Sequence, residues 1–157
     1  MGAEIGKKAP LFTLVATDKS LVPLKSLIGT GIIVLYFYPR DMTPGCTTEA
    51  CDFRDNLNRF KKLGAVVVGV SPDSVVNHQQ FTEKQKLNFL LLADENHRVC
   101  EKYGTWIEKN MYGRHYWGVE RSTFLIDING RIRHIWRKVR VNKHVNEIIQ
   151  TIQDMES

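Results

Sequence analysis

The sequence predicts an α/β domain of three layers, in which helices cover both faces of a mixed β-sheet. Residues 32–38 are a continuous run of β-branched and aromatic side chains, which is typical of a strand buried on both faces. A helical pattern and a second apolar run over residues 65–70 follow, and this order indicates a β-α-β unit. Nearer the C-terminus, Asn129-Gly130 separates two strand-like runs and predicts a β-hairpin.

The first two thirds of the chain alternate between strand and helix patterns. Apolar residues at helical spacing follow the first strand as far as Gly64, which ends the helix. The turn-forming segment Ser71-Pro72-Asp73 closes the second strand. In chain order we predict a strand over residues 32–38, a helix over 45–63, a strand over 65–70, a helix over 74–86, a strand over 89–92 and one or two helical turns over 97–103.

The last third of the chain predicts a loop, a hairpin and a final helix. Residues 105–120 are polar and aromatic without a clear period, so we predict a long loop, and loops of that length are usually functional. The hairpin joins strands over residues 122–128 and 131–138, and a helix over residues 141–155 closes the domain. This order is similar to the thioredoxin fold with an insertion and an N-terminal extension, but a fold alone assigns no function.

Length and composition limit the class of protein. The chain has 157 residues, which fits a single domain over residues 1–157. Apolar residues make up 43% and charged residues 25%, which excludes a disordered chain, and the 3 cysteines are too few for a disulfide-rich scaffold. The first residues lack the apolar segment of a secretory signal, and no apolar run is long enough to span a bilayer. We therefore expect a cytoplasmic protein whose cysteines are catalytic or free.

The formal charge of +5 comes largely from the C-terminal part of the chain. Between Asp127 and Glu147 there is no acidic residue, and the basic residues there are Arg131, Arg133, Arg137, Lys138, Arg140 and Lys143. Such a cluster can attract polyanions. We favour a solvated strand edge and helix start over a nucleic-acid surface, because no nucleic-acid-binding motif accompanies the charges.

The most informative segment runs from Tyr38 to Cys51, where a buried strand ends and a helix begins. Cys46 falls in the first turn of that helix, where free backbone N–H groups and the helix dipole stabilise a thiolate. It is either a nucleophile or a small buried residue at a helix start. Thr43, three residues earlier, either caps the helix or directs its hydroxyl towards the sulfur to hold a small oxygen-containing substrate.

Cys51 follows Cys46 by five residues, and helix geometry keeps the two apart. Their Cα atoms are roughly 8.6 Å apart in an intact helix, whereas a disulfide needs Cα atoms within about 6.8 Å. Either the two never join, or the helix melts locally when they do, and opening of the first turns of a helix is energetically plausible. A zinc site is disfavoured, because no further Cys or His has ligand spacing.

Two separated motifs resemble those of the peroxiredoxins. The pattern Pro39-x-x-x-Thr43-x-x-Cys46, followed by Glu49 and Cys51, is similar to their active-site segment. A second segment, over residues 118–127, is similar to their arginine-bearing strand. The five-residue cysteine spacing specifically resembles the peroxiredoxin Q or bacterioferritin comigratory protein subfamily, and the similarity covers nearly the whole chain.

The resemblance implies a role for each of these side chains. Cys46 would be the peroxidatic thiolate that attacks a hydroperoxide, and Thr43 would hydrogen-bond to that peroxide. Arg121, otherwise an ordinary arginine at a strand start, would favour the Cys46 thiolate and stabilise charge on the leaving oxygen. Pro39 would shape and shield the pocket. Glu49 would orient Arg121, although a first-turn acid is also favoured by the helix dipole alone.

The resemblance also implies a second redox step and a reductant. Cys51 would be the resolving cysteine, condensing with the sulfenic acid of Cys46 to form an intramolecular disulfide after local unfolding. Thioredoxin or a glutaredoxin-like protein would then reduce the disulfide. This describes an atypical two-cysteine, thioredoxin-dependent peroxidase for hydrogen peroxide and small organic hydroperoxides. No metal or organic cofactor, membrane or nucleic acid is expected, and the subfamily suggests a monomer.

Other interpretations remain open at this point. A thioredoxin-like disulfide reductase normally has Cys-x-x-Cys and a cis-proline before the hairpin, where this chain has Ser122-Thr123. A redox sensor or a nucleic-acid-binding module are the non-enzymatic alternatives. We interpret Cys100 as an inert, semi-buried thiol and the histidines as surface residues or hydrogen-bond donors.

Overall fold

The computed structural model describes residues 2–156. In chain order its elements are β1 (Thr13–Ala16), β2 (Leu21–Pro23), α1 (Leu24–Leu27), β3 (Ile32–Phe37), α2 (Pro44–Asp55), α3 (Leu57–Lys62), β4 (Ala65–Ser71), α4 (Val75–Gln85), β5 (Leu90–Ala93), α5 (Arg98–Lys102), β6 (Trp106–Met111), β7 (Arg114–Val119), β8 (Ser122–Ile126), β9 (Ile132–Trp136) and α6 (His144–Glu156). No helix within residues 2–156 has the length and apolar character of a membrane span.

Seven strands form one sheet in the order β2-β1-β5-β4-β3-β8-β9. Strand β3 pairs in parallel with β4, and β4 in parallel with β5, because helical crossovers connect these strands. The other pairs in this sheet are antiparallel. The mixed sheet confirms the predicted α/β class.

Strand β3 is buried on both faces, as its sequence predicts, and it separates two apolar clusters. On one face, Phe37 packs against Tyr103, which directly follows α5, with ring centroids 5.1 Å apart. On the other face, Tyr36 stacks on Phe53 of α2 at 4.5 Å. The alternation of side chains along the strand therefore divides the core between the two helical layers.

The prediction of one helix over residues 45–63 is wrong in one respect, because the structure has two helices there, α2 and α3. The backbone leaves helical geometry at Asn56, with φ −108° and ψ 8°. The Asn56 side-chain amide donates to the carbonyl of Asp52 at 2.8 Å, an alternative to continued helix that asparagine readily offers. Helix α3 then begins at Leu57 and packs on the sheet.

The long loop predicted over residues 105–120 is wrong: β6 and β7 form a separate two-stranded antiparallel sheet. Its turn is Tyr112-Gly113, with positive φ at both residues, which is the geometry of a tight hairpin turn. Exposed apolar side chains such as Met111 and Trp117 leave this hairpin without a regular buried face. The sequence therefore lacks the alternation by which a strand is recognised.

The second predicted hairpin is confirmed, but its turn is wider than a two-residue Asn-Gly turn. The N–H of Asp127 donates to the carbonyl of Arg131, and its own carbonyl accepts from Gly130, which has φ +84°. One Asp127 carboxylate oxygen also accepts from the backbone N–H groups of Asn129 and Arg131. These hydrogen bonds within the turn explain why β8 ends at residue 126 and β9 begins only at residue 132.

Gly69 of β4 is predicted to be intolerant of a larger side chain. It lies opposite Tyr36 and Leu91 in the sheet, and a Cβ at this position would be 2.9 Å from both side chains. Gly69→Ala should lower the free energy of unfolding by about 1–3 kcal/mol through overpacking, as measured by urea denaturation. Gly118→Ala is the matched control, because its added Cβ would meet side chains only at 3.7 Å. Equal losses in both variants would contradict the overpacking account.

Candidate active site

The candidate site lies at the carboxyl end of β3, where residues 38–43 connect this strand to α2. Pro44 occupies the first helical position, where its missing N–H is not needed, and Cys46 follows in the first turn. Cys46 is 1% exposed, so its sulfur is at the helix N-terminus but almost wholly shielded from water. The sequence therefore places this thiol where backbone N–H groups stabilise negative charge.

Arg121 connects Cys46 to Glu49. One guanidinium nitrogen, Nη2, donates to the Cys46 Sγ at 3.4 Å, and Nη1 donates to the Glu49 Oε1 at 2.6 Å. Cys46 and Glu49 are three residues apart and share a face of α2, while Arg121 directly precedes β8. A guanidinium at this distance stabilises negative charge on the sulfur. The structure thus brings together three of the residues singled out from the sequence.

Gly45 makes room for this guanidinium. A Cβ at residue 45 would lie 3.1 Å from the Arg121 Nη2, which is closer than nearly all observed Cβ contacts. A side chain here would require the Arg121 guanidinium to shift by a few tenths of an ångström. The glycine next to the cysteine is therefore explained by the close approach of Arg121.

Glu49 is fully buried, and its ionisation is correspondingly costly. Burial raises the pKa of Glu49 to about 7, and the charge and hydrogen bond of Arg121 offset only part of this effect. Its second oxygen, Oε2, accepts no hydrogen bond from the residues that the structure describes. Arg121 is accordingly the group that stabilises the Glu49 carboxylate.

Thr43 and Pro39 lie on the segment before α2. Thr43 is the N-cap residue, but its side chain makes no capping hydrogen bond. The Thr43 hydroxyl instead donates to the carbonyl of Arg40 at 2.9 Å, so its lone pairs are left to accept a hydrogen bond. Pro39 is half-buried two residues after the end of β3.

Cys51 is half-buried on α2 and faces a different neighbour from Cys46. Its thiol lies 3.5 Å from the side-chain oxygen of Gln85 on α4. Both cysteines are free thiols in an intact helix, as is Cys100 elsewhere in the fold. The helix therefore has to open before the Cys46 and Cys51 sulfurs can be joined.

A buried network that the sequence did not reveal fixes the segment between β3 and α2. The Asp41 carboxylate accepts from the Tyr38 hydroxyl at 2.5 Å and lies 2.7 Å from Nδ1 of His78. His78 Nε2 is 3.0 Å from the carbonyl of Leu92, and the Asp41 N–H donates to Asp73 at 2.8 Å. Both ring nitrogens of His78 thus face an acceptor, the Asp41 carboxylate on one side and the Leu92 carbonyl on the other.

Ligand atoms of Asp41, Asp73 and His78 lie within 4.8 Å of one another. Each of these atoms already has a hydrogen-bond partner, including the Ser71 hydroxyl, which donates to Asp73 at 2.6 Å. We therefore interpret the cluster as a buried hydrogen-bond network. Its members are far apart in sequence and carry no common motif, so only the fold reveals it.

Of the two roles expected for the histidines, surface residue or hydrogen-bond donor, the first is wrong for His78 and His144, which are 0% and 2% exposed. His144 Nε2 lies 2.8 Å from the Thr123 hydroxyl, and burial together with the charge of Arg121 lowers the pKa of His144 to about 4. Its imidazole is therefore neutral near physiological pH. The low pKa of His144 is caused by its burial in the fold, which no local sequence pattern predicted.

Lys109 and Cys100 also depart from ordinary surface chemistry. Lys109, on the hairpin predicted as a loop, has its pKa lowered by burial and by the charge of Arg121, so this hairpin brings a cation near the site.

Cys100 is fully buried, and burial with the nearby Asp94 carboxylate raises its pKa. The prediction that Cys100 is only semi-buried is therefore wrong, whereas its inertness stays a prediction, which the raised pKa supports.

Comparisons with known proteins place these features in a family. The model of the AhpC/TSA family matches residues 5–135. The chain is 53% identical to peroxiredoxin Bcp of Bacillus subtilis over 155 residues, covering 99% of this chain and 98% of the relative. It is 42% identical to peroxiredoxin Bcp of Escherichia coli over 149 residues, with 95% of each chain covered.

Solved structures agree with the sequence relatives. A mutant of Xylella fastidiosa PrxQ superposes with a TM-score of 0.93 at 35% identity, covering 100% of this chain and 99% of that one. The Xanthomonas campestris bacterioferritin comigratory protein, studied for its alkyl peroxide reduction activity, superposes with a TM-score of 0.88 at 38% identity. Those matched regions are 93% of this chain and 92% of the neighbour.

The buried Glu49 predicts a specific pH dependence of stability. Its folded-state pKa of about 7 lies above the ordinary value of 4.5, so the native state binds the extra proton. The contribution of this bound proton to the free energy of unfolding is fully present below pH 4.5 and is lost as the pH rises through about 7. Glu49→Gln, which cannot ionise, should gain about 2–3 kcal/mol relative to wild type between pH 4.5 and 8.

Urea denaturation at a series of pH values measures this difference. Glu83→Gln, which alters an exposed carboxylate on α4, is the control and should track wild type. A constant difference between Glu49→Gln and wild type across the series would contradict the raised pKa of Glu49.

Proposed function

The chain belongs to the AhpC/TSA family as a thiol-dependent peroxidase of the Bcp or peroxiredoxin Q group, and from this premise we propose which residues carry its reaction. It reduces peroxides with electrons from a thiol reductant. The observation that supports our assignment is the Arg121 guanidinium, which donates to both Cys46 and Glu49. A cation shared between a buried sulfur and a buried carboxylate favours a thiolate at Cys46.

In the first step Cys46 is the peroxidatic thiolate. Its sulfur attacks one oxygen of the hydroperoxide in line with the O–O bond, so an S–O bond forms as the O–O bond breaks. The bonding electron pair leaves with the second oxygen, which takes up a proton to give water or an alcohol. Arg121 stabilises the charge that grows on this leaving oxygen. Cys46 is left as a sulfenic acid.

Thr43 and Pro39 complete the peroxide pocket. The Thr43 hydroxyl proton is engaged by the carbonyl of Arg40, so its oxygen is oriented to accept a hydrogen bond from the peroxide. Pro39 supplies a rigid, half-buried wall without an N–H of its own. Glu49 holds Arg121 in the orientation that both the sulfur and the leaving oxygen require.

In the second step Cys51 is the resolving cysteine. After α2 opens, the Cys51 thiol attacks the Cys46 sulfenic acid, a disulfide forms and water leaves. Thioredoxin or a glutaredoxin-like dithiol then reduces the disulfide by exchange, which returns both thiols. All of this chemistry takes place on sulfur, so the proposed cycle uses no metal or organic cofactor.

We further propose a single-domain cytoplasmic monomer that does not bind nucleic acid. Several of the basic C-terminal side chains have partners within the fold. Arg131 donates to the carbonyl of Gly6, Arg137 to that of Gly104, and Arg133 lies 3.5 Å from Asp127. These contacts support the proposal that the basic side chains stabilise the fold and do not form a nucleic-acid-binding surface.

Cysteine variants test the two-step assignment. Cys51→Ser should form one sulfenic acid per chain with one equivalent of hydrogen peroxide, but should turn over poorly with thioredoxin, because no resolving thiol remains. Cys46→Ser should form neither sulfenic acid nor disulfide. Intact-mass analysis and NADPH consumption coupled through thioredoxin reductase measure both outcomes. Cys100→Ser is the matched control, and full turnover by Cys46→Ser would refute the assignment.

Thr43 variants test the peroxide contact. Thr43→Val keeps the shape of the side chain but loses the hydroxyl, and should slow Cys46 oxidation by at least about ten-fold. Thr43→Ser retains the hydroxyl and should stay close to wild type. Thr48→Val is the control, since its exposed hydroxyl on the same helix bonds only to the carbonyl of Pro44. Rapid-mixing measurement of sulfenic acid formation distinguishes these cases, and a wild-type rate in Thr43→Val would exclude the contact.

A further inference from the structure

The turn of α2 that carries Cys51 is attached to the C-terminal end of α4. The Cys51 thiol donates to the side-chain oxygen of Gln85 at 3.5 Å. Arg54 Nη1 donates to the Gln85 backbone carbonyl at 2.5 Å, and the Asn88 side chain donates to the Arg54 carbonyl at 3.3 Å. Gln85 thus contacts this turn through both its side chain and its main chain.

The position of Gln85 makes its carbonyl a strong acceptor. It is the last residue of α4, and Lys86 ends the helix with a left-handed φ of +54°. The final carbonyls of a helix have no partner within it and lie at the negative end of the helix dipole. The positively charged Arg54 guanidinium therefore forms a charge-assisted hydrogen bond there.

These contacts exist only while α2 is folded, whereas the disulfide requires α2 to open. We propose that Gln85 is a positioning residue that limits how often the Cys51 turn opens, and thereby sets the rate of disulfide formation after Cys46 is oxidised. This inference rests on the proposed function, in which Cys51 resolves the sulfenic acid. It adds a control element on α4, outside the helix that carries both cysteines.

The opening frequency decides between two fates of the same intermediate. The Cys46 sulfenic acid and the Cys51 thiol combine to a disulfide and water when α2 opens. While α2 stays folded, a second hydroperoxide can transfer an oxygen to the sulfenic acid, giving a sulfinic acid and water or an alcohol. Weakening the contacts of Gln85 therefore favours the disulfide.

The expected kinetic signature separates this role from a general structural one. The open form is the minor state, so a weaker contact multiplies its population but hardly changes the folded population that reacts with peroxide. Resolution should become faster while sulfenic acid formation stays constant. A general disturbance of the site would instead slow the peroxide step.

The test compares Gln85→Ala with Gln79→Ala. Gln79 is a half-buried glutamine on the same helix, but its amide donates to the carbonyl of Thr17, before β2, and not to α2. After rapid mixing with one equivalent of hydrogen peroxide, acid quenching and intact-mass analysis follow the sulfenic acid and the disulfide. Gln85→Ala should resolve roughly two- to five-fold faster, since a thiol is a weak donor and a net hydrogen bond is modest. It should also accumulate less sulfinic acid at excess peroxide, and Gln79→Ala should match wild type.

Arg54→Met gives an independent measurement, because alanine at residue 85 retains the carbonyl. Removing the guanidinium should accelerate resolution more than Gln85→Ala does, since its hydrogen bond is charge-assisted. Resolution at or below the wild-type rate in both variants would overturn the inference. Absence of a Cys46–Cys51 disulfide in the wild-type protein would instead refute the proposed function.

Discussion

The site depends on a single cation placed between two groups that are almost fully removed from water. An isolated charge in a protein interior costs several kcal/mol, so neither a Cys46 thiolate nor a Glu49 carboxylate is stable there alone. Arg121 donates to both, and it reaches them because the segment before β8 lies against the first turn of α2. The absence of a side chain at Gly45 leaves room for this approach. Strand, helix and glycine together thus hold a charge arrangement that none of them could maintain separately.

The two flanks of Cys46 are held with different strengths. On the side before it, the Asp41–His78 pair is buried and linked to Tyr38 and Asp73, so this segment is anchored by fully buried hydrogen bonds. On the side after it, the contacts of Cys51 are half-buried. Water competes more effectively for half-buried groups, so the helix is easier to open after Cys46 than the segment before it is to displace. In the proposed cycle, the segment before Cys46 would therefore keep its place while α2 opens.

Local sequence patterns predict those parts of the structure that depend on local physics. Residues 32–38 predicted a strand buried on both faces, because β-branched and aromatic side chains suit both faces of a sheet. The junction between this strand and the following helix predicted the position of Cys46. The β6–β7 hairpin was missed because its exposed side chains have no period of two. Asn56 was missed because the backbone leaves helical geometry there within an otherwise continuous apolar pattern. The role of His78 was not predicted, because its hydrogen-bond partners lie on separate elements that only the fold brings together.

The break at Asn56 has a consequence for repeated turnover. Helix α3 has its own starting hydrogen bonds, from Arg59 and Phe60 to the Asn56 carbonyl, and it keeps Phe60 buried against the sheet. Unwinding that starts in α2 therefore need not spread along the chain, because helical cooperativity ends where the bonding pattern is interrupted. In the proposed cycle, each round would then expose only the apolar side chains of α2. Under the proposed cycle, such confinement would limit the surface open to aggregation and to proteolytic cleavage.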